Sequence, residues 1–163
     1  MEDIRASEEV LKILDTALYK EQAAYDFYTE VSIMILNPDG RKKFEQLAQD
    51  ELRHRHAIEL RYKKLAGKSL VFDPKRREIL KVGDISEQTS ALEAVSLALN
   101  EEKKAMEMYK RGEETAQDSD SKKMFNQLML DEQGHYNLLS AEYQMLSGGL
   151  YWFILDQPGI MEE

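Results

Sequence analysis

Val10, Leu14, Ala17, Leu18, Ala24, Tyr25, Tyr28, Val31 and Ile35 recur at three- and four-residue steps, the spacing of one buried stripe on an α-helix. The stripe predicts a first helix from about Ser7 to Leu36, with Ser7 as cap and Glu8 and Glu9 in the first turn. Asn37-Pro38-Asp39-Gly40 stops it and starts a second helix, which runs to about Leu65 and ends at Gly67. So short a turn makes the pair antiparallel. A third helix is expected from about Ser90 to Thr115, with Leu92, Val95, Leu99, Ala105, Met106 and Tyr109 inward. After Gln117-Asp118-Ser119-Asp120 a fourth runs to about Ser147. It carries Phe125, Leu128, Leu138 or Leu139, and Met145 or Leu146, and Gly148-Gly149 ends it.

Between the hairpins, Lys68 to Thr89 lacks helical period and contains Pro74 and Gly83. Extended, this segment reaches roughly 70 Å, more than the roughly 42 Å of a 28-residue helix. It can therefore carry the chain back along the bundle and leave the second and third helices parallel. Leu70, Val71, Phe72, Ile79, Leu80 and Val82 are expected to pack as it crosses. The fold class is all-α, a four-helix bundle of two hairpins joined by one long crossover, spanning residues 1–149.

Charges interrupt every stripe. Glu21, Glu51 with His54, Glu102, and Glu132 with His135 fall on the inward faces. An ionised carboxylate in low dielectric costs several kcal/mol or takes up a proton unless a positive charge lies beside it. A metal ion would serve, since Glu and His three residues apart lie about 60° apart on a helix and can reach one ion.

A shift of 81 residues superposes the two halves without a gap: Glu21 on Glu102, Ala24 on Ala105, Tyr28 on Tyr109, Gln46 on Gln127, Asp50 on Asp131, Glu51 on Glu132 and His54 on His135. One helical hairpin is thus written twice. Glu21 precedes Leu36 by 15 residues, while Glu51 and His54 follow Asp39 by 12 and 15. At about 1.5 Å per residue the three stand at one height. Glu101 competes with Glu102 by one position, and the register of the repeat with Ala105 and Tyr109 favours Glu102. His56 lies off the stripe, as a surface residue would. Tyr28 and Tyr109, two turns from their glutamates, are expected either to pack in the core or to hydrogen-bond a ligand carboxylate.

Glu from each of two helices and Glu-x-x-His from each of the other two is the ligand set of di-iron carboxylate bundles. Oxygen and imidazole donors suit iron or manganese, and zinc would fit but be redox-inert. With 163 residues and no cysteine, disulfides, thiolate catalysis and an iron–sulfur centre on its own thiolates are excluded. A net charge of −9 without a basic cluster argues against nucleic acid or anionic membrane as partner. No run approaches the roughly 20 apolar residues of a membrane span, and the charged start Met1-Glu2-Asp3-Ile4-Arg5 lacks a secretory core, so a cytoplasmic protein is expected.

Glu-x-x-Ala-x-x-(Phe/Met)-Tyr at Glu21–Tyr28 and Glu102–Tyr109, followed in each half by Asp-Glu-x-x-His, resembles the ferritin-like superfamily and, within it, the rubrerythrin-type proteins. The resemblance covers about residues 7–147. It implies two iron ions bridged by Glu51 and Glu132, with Glu21 and Glu102 as terminal ligands and one histidine on each iron. It also implies reduction of peroxide or dioxygen with electrons from an external donor protein, as in oxidative-stress defence. Two features depart from rubrerythrins proper. Their additional glutamate three residues after the helix-three ligand is Ala105 here, or Lys104 if Glu101 is the ligand, and their cysteine-ligated electron-transfer domain is missing.

A bacterioferritin-type ferroxidase is the alternative, although Leu52 stands where that family's haem-binding methionine would lie. A non-catalytic metal-binding bundle is a third reading. The apolar Leu150-Tyr151-Trp152-Phe153-Ile154-Leu155 makes 150–163 a tail expected to fold over the bundle end or to form a subunit interface, in a homodimer or larger homo-oligomer.

Overall fold

A computed structural model describes residues 3–85 and 87–148. Among the described residues four α-helices make a bundle: α1 (Ile4–Met34), α2 (Pro38–Ala66), α3 (Gln88–Thr115) and α4 (Ser119–Ser147). The expected tail, 150–163, lies outside the described residues.

Helix ends follow local chemistry. Asn37 Oδ1 accepts the amide N–H groups of Asp39 and Gly40, Pro38 occupies the first turn, and Gly67 closes α2 in the left-handed region at φ 72°. Asp118 caps α4 through the Ser121 amide. The first helix departs from expectation. Asp3, not Ser7, is its cap and accepts from the Arg5 amide, so α1 starts one turn earlier and ends at Met34 rather than Leu36.

Helix α1 packs on α2 and α3 on α4, and the halves meet chiefly through α1 against α3. The Asp3 amide, at the start of α1, donates to Gln117 just beyond the end of α3. These two helices are therefore antiparallel, which leaves α2 and α3 parallel. Two apolar clusters fill the interior. One contains Phe27, Val31, Phe44, Leu47, Ala98, Leu139 and Leu146; the other contains Ile13, Leu14, Leu18, Ile58, Phe125 and Leu128. The inward charges lie at the waist between them.

The crossover is bound to the outer side of α1. Phe72 stacks on Tyr19 at 4.9 Å between ring centroids, and the Asp73 amide donates to Tyr19 Oη at 2.8 Å. Arg76 pairs with Asp15, Arg77 with Asp26 and Lys20 with Glu78, at 2.6, 2.6 and 3.0 Å. Leu70, Phe72, Leu80 and Val82 pack against the core as expected. Val71 and Ile79 do not: they are 80% and 81% exposed, because in an extended strap neighbouring side chains point to opposite sides. Another buried charge was not anticipated. Glu142 of α4, 1% exposed, pairs with Lys43 of α2 at 2.7 Å near the end of the bundle.

Candidate metal centre

Each inward charge sits in the middle of a long helix whose other inward positions are mostly apolar, so helix packing carries it into the interior. Glu21, Glu51, His54, Glu102, Glu132 and His135 are all buried, with exposures of 6% or less. The structure brings the six together. Donor atoms of Glu21, Glu51, His54 and Glu132 lie within 4.8 Å of one another, as do those of Glu51, Glu102, Glu132 and His135. Glu51 and Glu132 belong to both groups, and each group takes its histidine from a different half.

The contacts cross between the halves. His54 Nδ1 is 2.8 Å from Glu132, 3.1 Å from Glu51 and 3.6 Å from Glu21. His135 Nδ1 is 3.0 Å from Glu51, 3.4 Å from Glu102 and 3.7 Å from Glu132. Both rings therefore turn Nδ1 toward the carboxylates. The other ring nitrogen is engaged as well: His54 Nε2 meets Asp131 Oδ2 at 3.0 Å, and His135 Nε2 meets Asp50 Oδ2 at 2.9 Å. A carboxylate at Nε2 assigns the N–H to that atom and leaves the Nδ1 lone pair for a cation. Gln46 and Gln127 in turn donate to Asp50 and Asp131 at 2.9 and 2.8 Å.

Asp50 and Asp131 touch the candidate site, although the 81-residue repeat aligns them without giving them a role. The signal was an acid directly before the inward glutamate in both copies. Tyr28 and Tyr109 are fully buried and do hydrogen-bond carboxylates, but not those of their own helices. Tyr28 Oη donates to Glu102 at 2.5 Å, and Tyr109 Oη donates to Glu21. Glu101 stays outside both groups, toward Lys20 and Lys104, which leaves Glu102 as the helix-three member. His56 is on the surface.

Among protein groups alone the charges do not balance comfortably. Burial, then Glu21 and Glu102, holds the Glu51 carboxyl well above the usual carboxylate range. Burial, then Glu51, Glu21 and Glu102, does the same to Glu132. Burial also disfavours charge on Glu102, yet the neighbouring Glu132 and His135 and the hydrogen bond from Tyr28 keep it below the usual range. Burial opposes protonation of both imidazoles. The surrounding carboxylates win, raising His54 strongly through Glu132, Glu21 and Glu51, and His135 to about 9 through Glu102 and Glu132. Burial and the same carboxylates push both tyrosines up, so they remain phenols and donors.

A cation pair fits this donor set. Four carboxylates match the charge of two divalent ions, with two neutral imidazoles completing the ligands. Glu102 Oε2 is buried without a hydrogen-bond partner, and Glu132 Oε1, though 2.8 Å from His54 Nδ1, lacks hydrogen-bond geometry to it. Buried oxygens left so are expected where a metal accepts their lone pairs.

The family model described as Rubrerythrin matches residues 12–143. Solved structures share the fold. A hypothetical protein from Pyrococcus furiosus is 24% identical over 86% of this chain and 91% of its own, with a TM-score of 0.77. A bacterioferritin from Rhodobacter capsulatus, described with a metal-free dinuclear site and haem iron, is 23% identical over 100% and 99%, at 0.75. The bacterioferritin of Desulfovibrio desulfuricans, described with a diiron site in different catalytic states, is 14% identical over 100% and 98%, at 0.76. No curated protein matches the chain. None of the described helices is long and apolar enough to cross a membrane.

Proposed function

The chain belongs to the rubrerythrin family, and from that premise we propose that it is a redox-active di-iron carboxylate protein that reduces peroxide or dioxygen with electrons from an external donor. The observation that carries this reading is the pair of buried ligand groups sharing Glu51 and Glu132. Iron bound there would supply the reducing electrons; Glu51 and Glu132 would hold both ions, while Glu21 with His54 and Glu102 with His135 would each hold one, the histidines through Nδ1.

The rest of the chain's work is positioning and shielding. Asp50 and Asp131 orient the imidazoles and raise their basicity. Tyr28 and Tyr109 hold the terminal carboxylates from the opposite half and keep an O–H beside them. The two apolar clusters exclude water above and below, which strengthens every electrostatic interaction at the waist.

Anaerobic loading with two ferrous ions per chain, followed by stoichiometric peroxide or dioxygen, tests the proposal. Rapid oxidation of both irons, reversed by a reductant, is the expected result. Two bound ferrous ions that neither oxidant oxidises would refute it.

The bacterioferritin likeness supports a second reading, ferrous oxidation coupled to storage. It requires a homo-oligomer large enough to enclose iron and uptake well beyond two ions per chain, both readable by light scattering and metal analysis.

A further inference from the structure

The two sides of the centre differ in how they meet the surface. On the side of α2 and α4 the imidazole rings stack at 5.9 Å, and each is tied across to the other helix's aspartate. A groove near Asp39 and Lys43 reaches His135 there, but it meets an imidazole whose Nε2 is already engaged by Asp50.

On the side of α1 and α3 a small pocket of about 40 Å³ has Glu21, Glu102 and Glu132 among its lining residues. Water needs about 10–15 Å³ of such space, so the pocket holds roughly three water-sized groups. Its walls include Ala24, Ala98 and Ala105, side chains of a single methyl. Ala24 and Ala105 are mates in the 81-residue repeat, which puts the pocket where the two halves face each other. The partnerless Glu102 Oε2 belongs to one of its lining residues.

The crossover covers this opening. Leu80 lines the pocket and packs on the core, and Glu78, two residues earlier, is held at 3.0 Å by Lys20 on the rim. Lys20 also lies 3.9 Å from Glu101 across the mouth, so one lysine joins α1, α3 and the strap.

We propose that this pocket is the port through which the oxidant reaches the centre, that it admits small uncharged molecules of the size of peroxide or dioxygen, and that Leu80 with the Lys20–Glu78 pair is its gate. Methyl walls and limited volume exclude larger organic peroxides. The inference rests on the redox reading above and locates where its substrate enters.

The test is stopped-flow mixing of the anaerobic, ferrous-loaded protein with hydrogen peroxide and, separately, with nitric oxide, an uncharged diatomic probe that needs no turnover. A105L fills the pocket from α3 and A24L from α1, and cobalt titration with circular dichroism checks that each variant folds and binds two ions. Both variants are expected to slow association of both molecules at least tenfold, while E78Q, which releases the latch, speeds it severalfold. Wild-type rates in A105L and A24L with two ions bound would overturn the port, and an unchanged rate in E78Q would overturn the gate. If the wild-type protein binds nitric oxide at a rate these variants alter but leaves peroxide intact, the port stands and the proposed reaction falls.

Discussion

Replacing Glu132 by glutamine should change stability in opposite directions with and without metal. Glu132 is 2% exposed, and burial with Glu51, Glu21 and Glu102 around it raises its carboxyl well above the usual range. For an acid raised in this way, stability is full below the ordinary carboxylate pKa and is lost as pH rises through the folded value. Glutamine has the same shape and no charge to lose. Burying an uncompensated ion costs several kcal/mol, of which His54 at 2.8 Å offsets part, so with chelator near neutral pH the variant should gain roughly 1–3 kcal/mol. At roughly 2–4 °C per kcal/mol that is a rise of about 2–12 °C in Tm. Under saturating zinc or manganese, chosen to avoid redox chemistry, the sign reverses. Ligand at a hundredfold excess over Kd stabilises the wild type by about 2.7 kcal/mol per site. Because Glu132 belongs to both donor groups, its loss weakens both sites, by about 3–5 kcal/mol if it behaves like a broken buried pair, or about a hundredfold or more in Kd. Calorimetric melts with chelator and with metal give both numbers. An equal drop in Tm under both conditions would show that Glu132 is a structural hydrogen-bonding residue, and the cation argument would fail.

Tyr28→Phe leaves the core packing but removes the hydrogen bond to Glu102; the expected cost is about 1.5–3 kcal/mol in the metal-loaded protein, read by melting, with a changed ligand-field spectrum of the cobalt form. Metal loading should release protons, because burial is outweighed at His135 by carboxylates that raise it to about 9 and the ligating imidazole must be neutral. Calorimetric titration at pH 7 in buffers of different ionisation enthalpy should report at least one proton per histidine, with the raised Glu51 and Glu132 carboxyls adding to the count and the His135 share falling as pH rises through about 9; buffer-independent heats would contradict this. Gly112→Ala places a methyl 2.8 Å from the Phe125 ring in the core, so it should lower stability by about 1–3 kcal/mol although alanine favours helix elsewhere.

Much of this protein is written locally. A 3.6-residue period is a property of neighbouring positions, so the four helices, the Asn37 cap, the Gly67 stop and the intrusion of Glu21, Glu51, His54, Glu102, Glu132 and His135 into apolar stripes could be read from the chain alone. The 81-residue repeat added that the intrusions come in matched sets, and helix rise put them at one height. The directions of side chains between elements depend on how the helices rotate and cross, and these only the tertiary structure decided. It sent Tyr28 and Tyr109 to the opposite half's glutamates, gave Asp50 and Asp131 the imidazoles of the other hairpin, made Glu51 and Glu132 common to both groups, and turned Val71 and Ile79 outward on the strap. A periodic pattern says which face a residue occupies, whereas its partner is chosen by the packing of faces far apart in the chain.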